Sequence, residues 1–192
     1  MKHLADVASI RLGYPFRGEI KAVANGPVQV VQIKNIHEIK GIDWSSLIST
    51  ELTGRKNPDY LKSGDILFTA RGSRTTAIAL DGVPEPTVCS PHLYQISLKT
   101  TQIRSAYLAW YINQKPAGQH FARFAEGSRV MGIRRSMLEA LPVPLPSLEE
   151  QDRIIALDQL VKQEYALLTQ RMANSQTMMN AIAFKLRKAH RD

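Results

Sequence analysis

The side chains best suited to acid–base, metal or nucleophilic chemistry are dispersed in this sequence. His3, His37, His92, His120 and His190 are isolated, and none sits at the i, i+4 spacing that turns two imidazoles toward one metal. Cys89 is the single cysteine, which excludes an intramolecular disulfide and a cysteine-rich zinc site and suits a reducing compartment. There is no phosphate-cradling glycine loop, dinucleotide fingerprint or nucleophile elbow. Asp65 follows the Ser63-Gly64 turn and lacks the Asp/Glu-x-Lys set of a metal-dependent nuclease in the strand after it. The groups that do cluster are cations beside glycines. Arg71-Gly72-Ser73-Arg74 forms one such cluster, and Arg129, Arg134 and Arg135 form another. Small neighbours there let the backbone approach an anion, and guanidinium forks suit paired acceptors. This is binding chemistry rather than bond-making chemistry.

Asn57-Pro58-Asp59-Tyr60 comes near the Asn-Pro-Pro-Tyr motif of DNA amino-methyltransferases. Neither a glycine-rich cofactor loop nor room for a Rossmann-like sheet accompanies it, so it reads as a turn beginning at Asn57. Charge agrees with a binder. The 192 residues carry 25 Lys and Arg against 17 Asp and Glu, a formal charge of +8. Residues 1–146 hold 18 basic and 11 acidic side chains and residues 147–192 hold 7 and 6, so the first part carries the field. Such a field attracts a polyanion, but a solubilising surface has the same sign, so charge narrows the partners without choosing one. With 44% apolar residues the chain can build a core and is not a disordered one. No window approaches the ~18 unbroken apolar residues of a membrane span. Met1-Lys2-His3-Leu4-Ala5-Asp6 has no apolar signal region. The expectation is a soluble cytoplasmic protein of one domain with an appendage.

The elements that must position the cations divide at Ser147. All 11 glycines and all 10 prolines precede it. This predicts the α+β class, with a mixed globular domain over residues 1–146 and one long helix over residues 147–192. Within the domain, Val28-Gln29-Val30-Val31-Gln32-Ile33 reads as a strand bounded by Gly26-Pro27, and Ile66 to Ala70 as another. Thr76 to Leu80 and Thr87 to Leu98 read as two more, around the Asp81-Gly82 turn. Helical spacing at Tyr107, Leu108, Tyr111 and Ile112 resumes after Pro116 with Phe121 and Phe124 and ends at Gly127. Ser136 to Ala140 makes one or two turns, and Leu141-Pro142-Val143-Pro144-Leu145-Pro146 is a short stiff strut.

The long helix opens on a capping box, Ser147 with Glu150. Glu149 and Asp152 in its first turn and Lys185, Arg187 and Lys188 in its last suit the helix dipole. Ile154, Val161, Leu168 and Ile182 recur at one heptad position, with Ser175 in the fifth slot. Tyr165, Met172, Met179 and Leu186 recur at the other, with Asp158 breaking the set. This is a coiled-coil pattern. At ~1.5 Å per residue the helix would run roughly 60 Å, too long to lie wholly against a domain of ~15 Å radius of gyration. Its seam therefore needs a partner, and Leu157, Leu160 and Leu167 widen the stripe for a second contact. The alternative is a helix folded back on its own domain.

The stretch Leu138-Glu139-Ala140-Leu141-Pro142-Val143-Pro144-Leu145-Pro146-Ser147-Leu148-Glu149-Glu150-Gln151-Asp152-Arg153-Ile154 is similar to a family junction motif, L-x-x-L-x-[IV]-P-x-P-x-x-E-Q-x-x-I. Weaker matches occur in the expected order: Leu12-Gly13-Tyr14-Pro15-Phe16, Leu61-Lys62-Ser63-Gly64-Asp65-Ile66-Leu67-Phe68 and Glu126-Gly127-Ser128. On these residues the chain resembles a specificity (S) subunit of type I DNA restriction–modification systems. The resemblance is to a half-length form, with one target-recognition domain and one conserved-region helix where full-length members carry two of each. It implies a subunit without chemistry of its own, which binds double-stranded DNA and reads one half of a bipartite target. It also implies docking to methyltransferase (M) subunits and a separate restriction (R) subunit. This chain would bind no cofactor; S-adenosylmethionine would sit on the M subunit. The resemblance further implies pairing of two such helices as an antiparallel spacer, here in a homodimer with a split, palindromic target. The seam would be Ile154, Val161, Tyr165, Leu168, Met172, Met179, Ile182 and Leu186.

Under this resemblance, loop residues enter the major groove, where Arg, Lys, Asn, Gln and Ser distinguish base edges. Arg71, Ser73 and Arg74 are the first candidates, followed by Arg17 after Gly13-Tyr14-Pro15-Phe16 and by Lys34 with Asn35. Arg129, Arg134 and Arg135 suit phosphate clamping. Tyr14, Phe16, Tyr107, Trp110 and Phe121 read as core, and His92 as a histidine satisfied within the fold in preference to one lying near DNA. Three other readings remain open at this level. One is a stand-alone dimeric DNA-binding regulator, another a small nuclease or methyltransferase with a degenerate motif. The third is a coiled-coil scaffold gripping an acidic protein.

Overall fold

The computed structural model describes residues 1–37, 39–53, 57–69, 75–84, 86–124 and 132–189. The first described elements are β1 (Lys2–His3), α1 (Leu4–Val7), β2 (Ala8–Leu12), β3 (Val28–Val31), β4 (Ile36–His37), β5 (Gly41–Ile42) and β6 (Ile48–Thr50). They continue with β7 (Ile66–Thr69), β8 (Ala77–Ala79), β9 (Thr87–Cys89) and β10 (Leu93–Leu98). Then come α2 (Ser105–Ile112), α3 (Lys115–Phe124), α4 (Arg135–Glu139), β11 (Pro142–Val143) and α5 (Leu148–Ala189). This is a mixed α+β domain followed by one long C-terminal helix, as the distribution of Gly and Pro predicts.

An antiparallel sheet in the order β2-β10-β7-β8 forms the middle of the domain. Successive strand side chains point to opposite faces. Ile10, Ile66, Phe68 and Ile96 on one face therefore pack with Tyr107, Leu108 and Ile112 of α2 and Phe121 of α3. Leu67 and Leu93 on the other face pack with Val31, Leu61, Leu80 and Cys89. Burial on both faces explains why Ile66-Leu67-Phe68 is an unbroken apolar run rather than an alternating one. A second sheet, β6-β3-β9, pairs β3 antiparallel with β6 and parallel with β9. Its Val28, Val30 and Val88 close a third cluster over Tyr14. The turn into β7 places Gly64 at φ +88°, where a Cβ would be strained. The buried Asp65 carboxylate accepts from the Lys62 N–H at 2.9 Å, Gln95 Nε2 at 2.8 Å and Ser97 Oγ at 2.6 Å.

One sequence expectation needs correction. Thr87 to Leu98 is not one strand: β9 and β10 lie in different sheets, and the chain turns at Ser90-Pro91-His92, where Leu93 N–H donates to Ser90 O at 3.0 Å. Proline at the turn removes a ladder donor. The predicted proline strut is tied into the domain. Val143 pairs with Lys2 across β1 and β11, and Leu141 and Val143 are buried. The Tyr111 and Tyr107 hydroxyls donate to the carbonyls of Pro142 at 3.0 Å and Pro144 at 3.2 Å.

The chain forms two compact units, Met1–Ile155 and Ala156–Asp192. The first turns of α5 thus belong to the domain, and Ile154 and Ile155 pack against its first core cluster. Ile154 is accordingly withdrawn from the predicted seam by its contacts in the core. In the second unit Val161, Tyr165, Leu168, Met172, Met179, Ile182 and Leu186 are exposed, as are Leu157, Leu160 and Leu167. Asp158 pairs with Lys162 one turn on, at 2.6 Å. Among the described residues no helix is long and apolar enough to cross a membrane. The predicted helix end at Gly127 lies outside the described residues.

Candidate nucleic-acid interface

Because β3 and β9 run parallel, the segments that follow them leave the sheet at the same end. Val31 lies beside Cys89, and the Ser90 N–H extends the pairing to Val31 O at 2.9 Å. The following residues, Gln32, Ile33, Lys34, Ser90, Pro91 and His92, line an open cleft of about 410 Å³ with Phe16, Glu19 and Ile20. An adjoining cleft of about 510 Å³ shares Phe16, Glu19 and Ile20 and adds Arg17, Lys21, Glu51 and Thr53.

Backbone geometry holds these walls. A Cβ on Gly13 would fall 2.0 Å from the Ser90 carbonyl oxygen, so only glycine allows the chain after β2 to lie against the Ser90 turn. Tyr14 N–H then donates to Cys89 O at 2.8 Å, and the buried Tyr14 ring meets Phe16 edge-on at 4.9 Å. Lys34 is presented by a short 3₁₀ turn, Ile33–Asn35, whose base is the Asn35 side chain. Asn35 Oδ1 accepts from Gln32 N–H at 2.8 Å, and Nδ2 donates to Ser46 O at 3.2 Å and Ser46 Oγ at 3.0 Å. Asp43 caps the neighbouring turn, and its carboxylate accepts from the Ser45 hydroxyl at 2.6 Å and the Ser45 N–H at 3.1 Å, which holds it below the usual carboxylate range.

The predicted contact residues fall into four groups. Arg17 and Lys34 are exposed and line the two joined clefts. Asn35 is corrected: it is 2% exposed and its amide is spent inside the fold, so it supports the turn that displays Lys34 instead of facing a ligand. Arg134, the N-cap of α4, and Arg135, its first residue, are exposed, and Leu138 of this helix packs into the first core cluster. Arg135 pairs with Glu139 at 2.7 Å, which partly neutralises it. Arg71, Ser73, Arg74 and Arg129 lie outside the described residues. The strands flanking Arg71 to Arg74 are tied nonetheless. Thr69 N–H donates to Thr76 O at 2.9 Å, and the Asn113 amide bonds Ala77 N–H and Ala77 O, each at 2.8 Å.

Over residues 1–174 the sequence matches the family described as Type I restriction modification DNA specificity domain. The chain belongs to this family. A chain of the structure described as "Structural basis underlying complex assembly and conformational transition of the type I R-M system" is similar at TM-score 0.62 and 17% identity, covering 94% of this chain and 42% of that one. The HsdS subunit from Thermoanaerobacter tengcongensis gives 0.59 and 17%, covering 87% and 38%. The type I restriction–modification S subunit from M. genitalium gives 0.51 and 14%, covering 81% and 37%. At these identities the likeness is one of fold, and the present chain spans about two fifths of each of those chains. No curated protein sequence matches it.

In this specificity domain the junction motif is a joint rather than a ligand site. Leu138, Leu141 and Val143 are buried, and the Pro142 and Pro144 carbonyls take the two tyrosine hydroxyls. Glu150 N–H donates to Ser147 Oγ at 3.2 Å while Ser147 N–H donates to the Glu150 carboxylate at 3.1 Å. Gln151, fully buried, accepts from Arg104 N–H at 2.8 Å and donates to Gln102 O at 2.9 Å and Pro146 O at 3.0 Å. Sequence reasoning missed that role. Its signal was a neutral amide directly after the capping-box glutamate, where charge would have served the helix dipole better. The exposed Arg104–Asp152 pair at 3.2 Å adds little to the joint. Among the described residues no three His, Cys, Asp or Glu side chains group as a metal ion would require.

Proposed function

We propose that this chain is a recognition subunit of a type I restriction–modification complex, reading one half of a bipartite DNA target and carrying no chemistry of its own. The observation that carries the reading is the family match, which runs through the whole mixed domain and well into α5. Two further features support it. The two clefts are lined by Arg17, Lys21 and Lys34 beside the carboxylates of Glu19 and Glu51, a mixed set of donors and acceptors suited to polar contacts with nucleic acid. The seam of α5 from Val161 to Leu186 keeps seven large apolar side chains in water, a surface suited to a second helix. The described residues hold one mixed domain and one long helix, which would act as one recognition domain and one spacer helix. A second copy, paired antiparallel as a coiled coil, would supply the others. Methyltransferase subunits would dock on this assembly and hold S-adenosylmethionine.

The test is co-production with the adenine methyltransferase subunits of such a system, followed by genome-wide mapping of N6-methyladenine. The expected result is one split motif whose halves are inverted copies separated by a fixed gap. Methylation without a shared motif overturns the reading. So does tight sequence-specific binding by the chain alone with no gain from the methyltransferase, which would mark a stand-alone regulator.

A further inference from the structure

The cleft at the ends of β3 and β9 holds an imidazole that the fold does not use. His92 is exposed, and its ring makes no hydrogen bond to a described residue. This reverses the sequence expectation of a histidine satisfied internally. The backbone beneath it is nonetheless held from several directions. Ser90 N–H is bonded to Val31 O, Leu93 N–H to Ser90 O, and Gly13 N–H to Leu93 O, with Gly13 lying where a Cβ would strike the Ser90 carbonyl. A side chain carried on so fixed a turn loses little freedom when it meets a ligand. Lys34, on the turn locked by Asn35, and Glu19 line the same cleft.

We infer that His92 is a base-contacting residue of the DNA interface, and that the cleft it shares with Lys34 and Glu19 is where one part of the target is read. This deepens the specificity-subunit reading and rests on it. The chemistry favours bases over phosphates. Lys34 and Glu19 cancel in charge, so the cleft would be a poor phosphate clamp. It offers instead three different hydrogen-bonding groups. A neutral imidazole presents one N–H donor and one bare nitrogen acceptor. A lysine ammonium matches guanine O6 and N7, and a carboxylate accepts from the cytosine amino group. The major-groove edges of base pairs differ in this donor and acceptor pattern, which the more uniform phosphates do not carry.

The experiment uses the full chain with its methyltransferase subunits and compares His92→Ala and His92→Gln with the unaltered protein. Methylated sites are mapped, and DNA affinity is measured against salt on target and unrelated duplexes. The expected outcome is loss of discrimination at one position in each half of the motif, roughly tenfold or more, with affinity for unrelated duplex and its salt slope unchanged. An identical motif methylated at an unchanged rate overturns the inference. A uniform loss on all sequences with a shallower salt slope also overturns it, because that marks a phosphate contact. If the unaltered complex reads no motif at all, the underlying specificity-subunit reading has failed rather than this assignment. His92 is exposed and supports no packing, so both variants should keep the thermal midpoint of the parent, and a matched midpoint is the control for folding.

Discussion

At the scale of single residues, the same chemical group can read a ligand or build the device that reads it, and burial decides between them. Asn35 has the donor and acceptor that suit an adenine edge, and it directly follows an exposed lysine. Its amide instead joins Gln32 to Ser46, eleven residues further on. Replacing it with alanine leaves the Gln32 N–H and the Ser46 groups without their partner, and an orphaned buried polar group costs about 1–3 kcal/mol. Asn35→Ala should therefore lower the unfolding free energy by that amount, read as a lower urea midpoint with unchanged slope, and leave the target motif intact in the protein that remains folded. An unchanged midpoint with an altered motif would return Asn35 to the interface. This role was illegible in the sequence because it depends on Ser46, which no local pattern connects to Asn35. Gly13 differs. Its place in Leu12-Gly13-Tyr14-Pro15-Phe16 was visible, while its reason, the close approach of the Ser90 carbonyl, is a contact across 77 residues of chain.

At the scale of elements, legibility followed length and period. The helix α5 could be read from the absence of Gly and Pro after Ser147 and from its capping box, and β7 and β8 from their apolar runs and turns. The strands β1, β4 and β5 have two residues each and carry no period for a sequence to display. Thr87 to Leu98 merged two strands because the strand-like residues on either side outweighed the turn signal of Ser90-Pro91-His92 between them. The joint at Leu141 to Gln151 was legible as a motif and illegible as a mechanism. Gln151→Leu should keep the helix but orphan the Arg104 N–H, lowering the unfolding free energy by about 2 kcal/mol, read as a shifted urea midpoint with unchanged slope. An unshifted midpoint would mean that water replaces the amide without loss. The tyrosines add a pH signature. Burial pushes the Tyr107 and Tyr111 hydroxyls above their ordinary value of 10.0, with nearby Tyr111 and Glu150 adding to the effect on Tyr107. The folded state thus holds these protons more tightly than the unfolded chain. Their contribution is complete below pH 10 and is lost as pH rises through the raised values. Tyr107→Phe should make the decline in stability above pH 10 shallower than in the parent, as measured by urea unfolding across pH 9 to 11.

At the scale of the whole molecule, the question is what covers the apolar seam of α5. Val161, Tyr165, Leu168, Met172, Met179, Ile182 and Leu186 are between 44% and 74% exposed, which is costly for a helix that stays alone. Full burial of one such side chain gives roughly 1.5–3 kcal/mol. Association costs an estimated 4–15 kcal/mol, so seven pairs of seam residues outweigh it with a margin, whereas two or three pairs only match it. The pairing should therefore be sensitive to charge in the middle of the seam and tolerant at its ends. Leu168→Glu with Met172→Glu places like charges on both copies at the centre of an antiparallel pair. Glutamate is a good helix former, so the helix itself should survive. Light scattering should show the parent as a dimer and the double variant as a monomer at the same concentration, with unchanged helical circular dichroism. In the methyltransferase complex the variant should lose the two-fold split motif, while the recognition domain keeps its affinity for a single half-site. A variant that stays dimeric and keeps the gap between halves would mean that the seam is not the ruler. Leu157, Leu160 and Leu167 would then be the surface to charge next, since they are exposed apolar side chains of the same helix outside the seam.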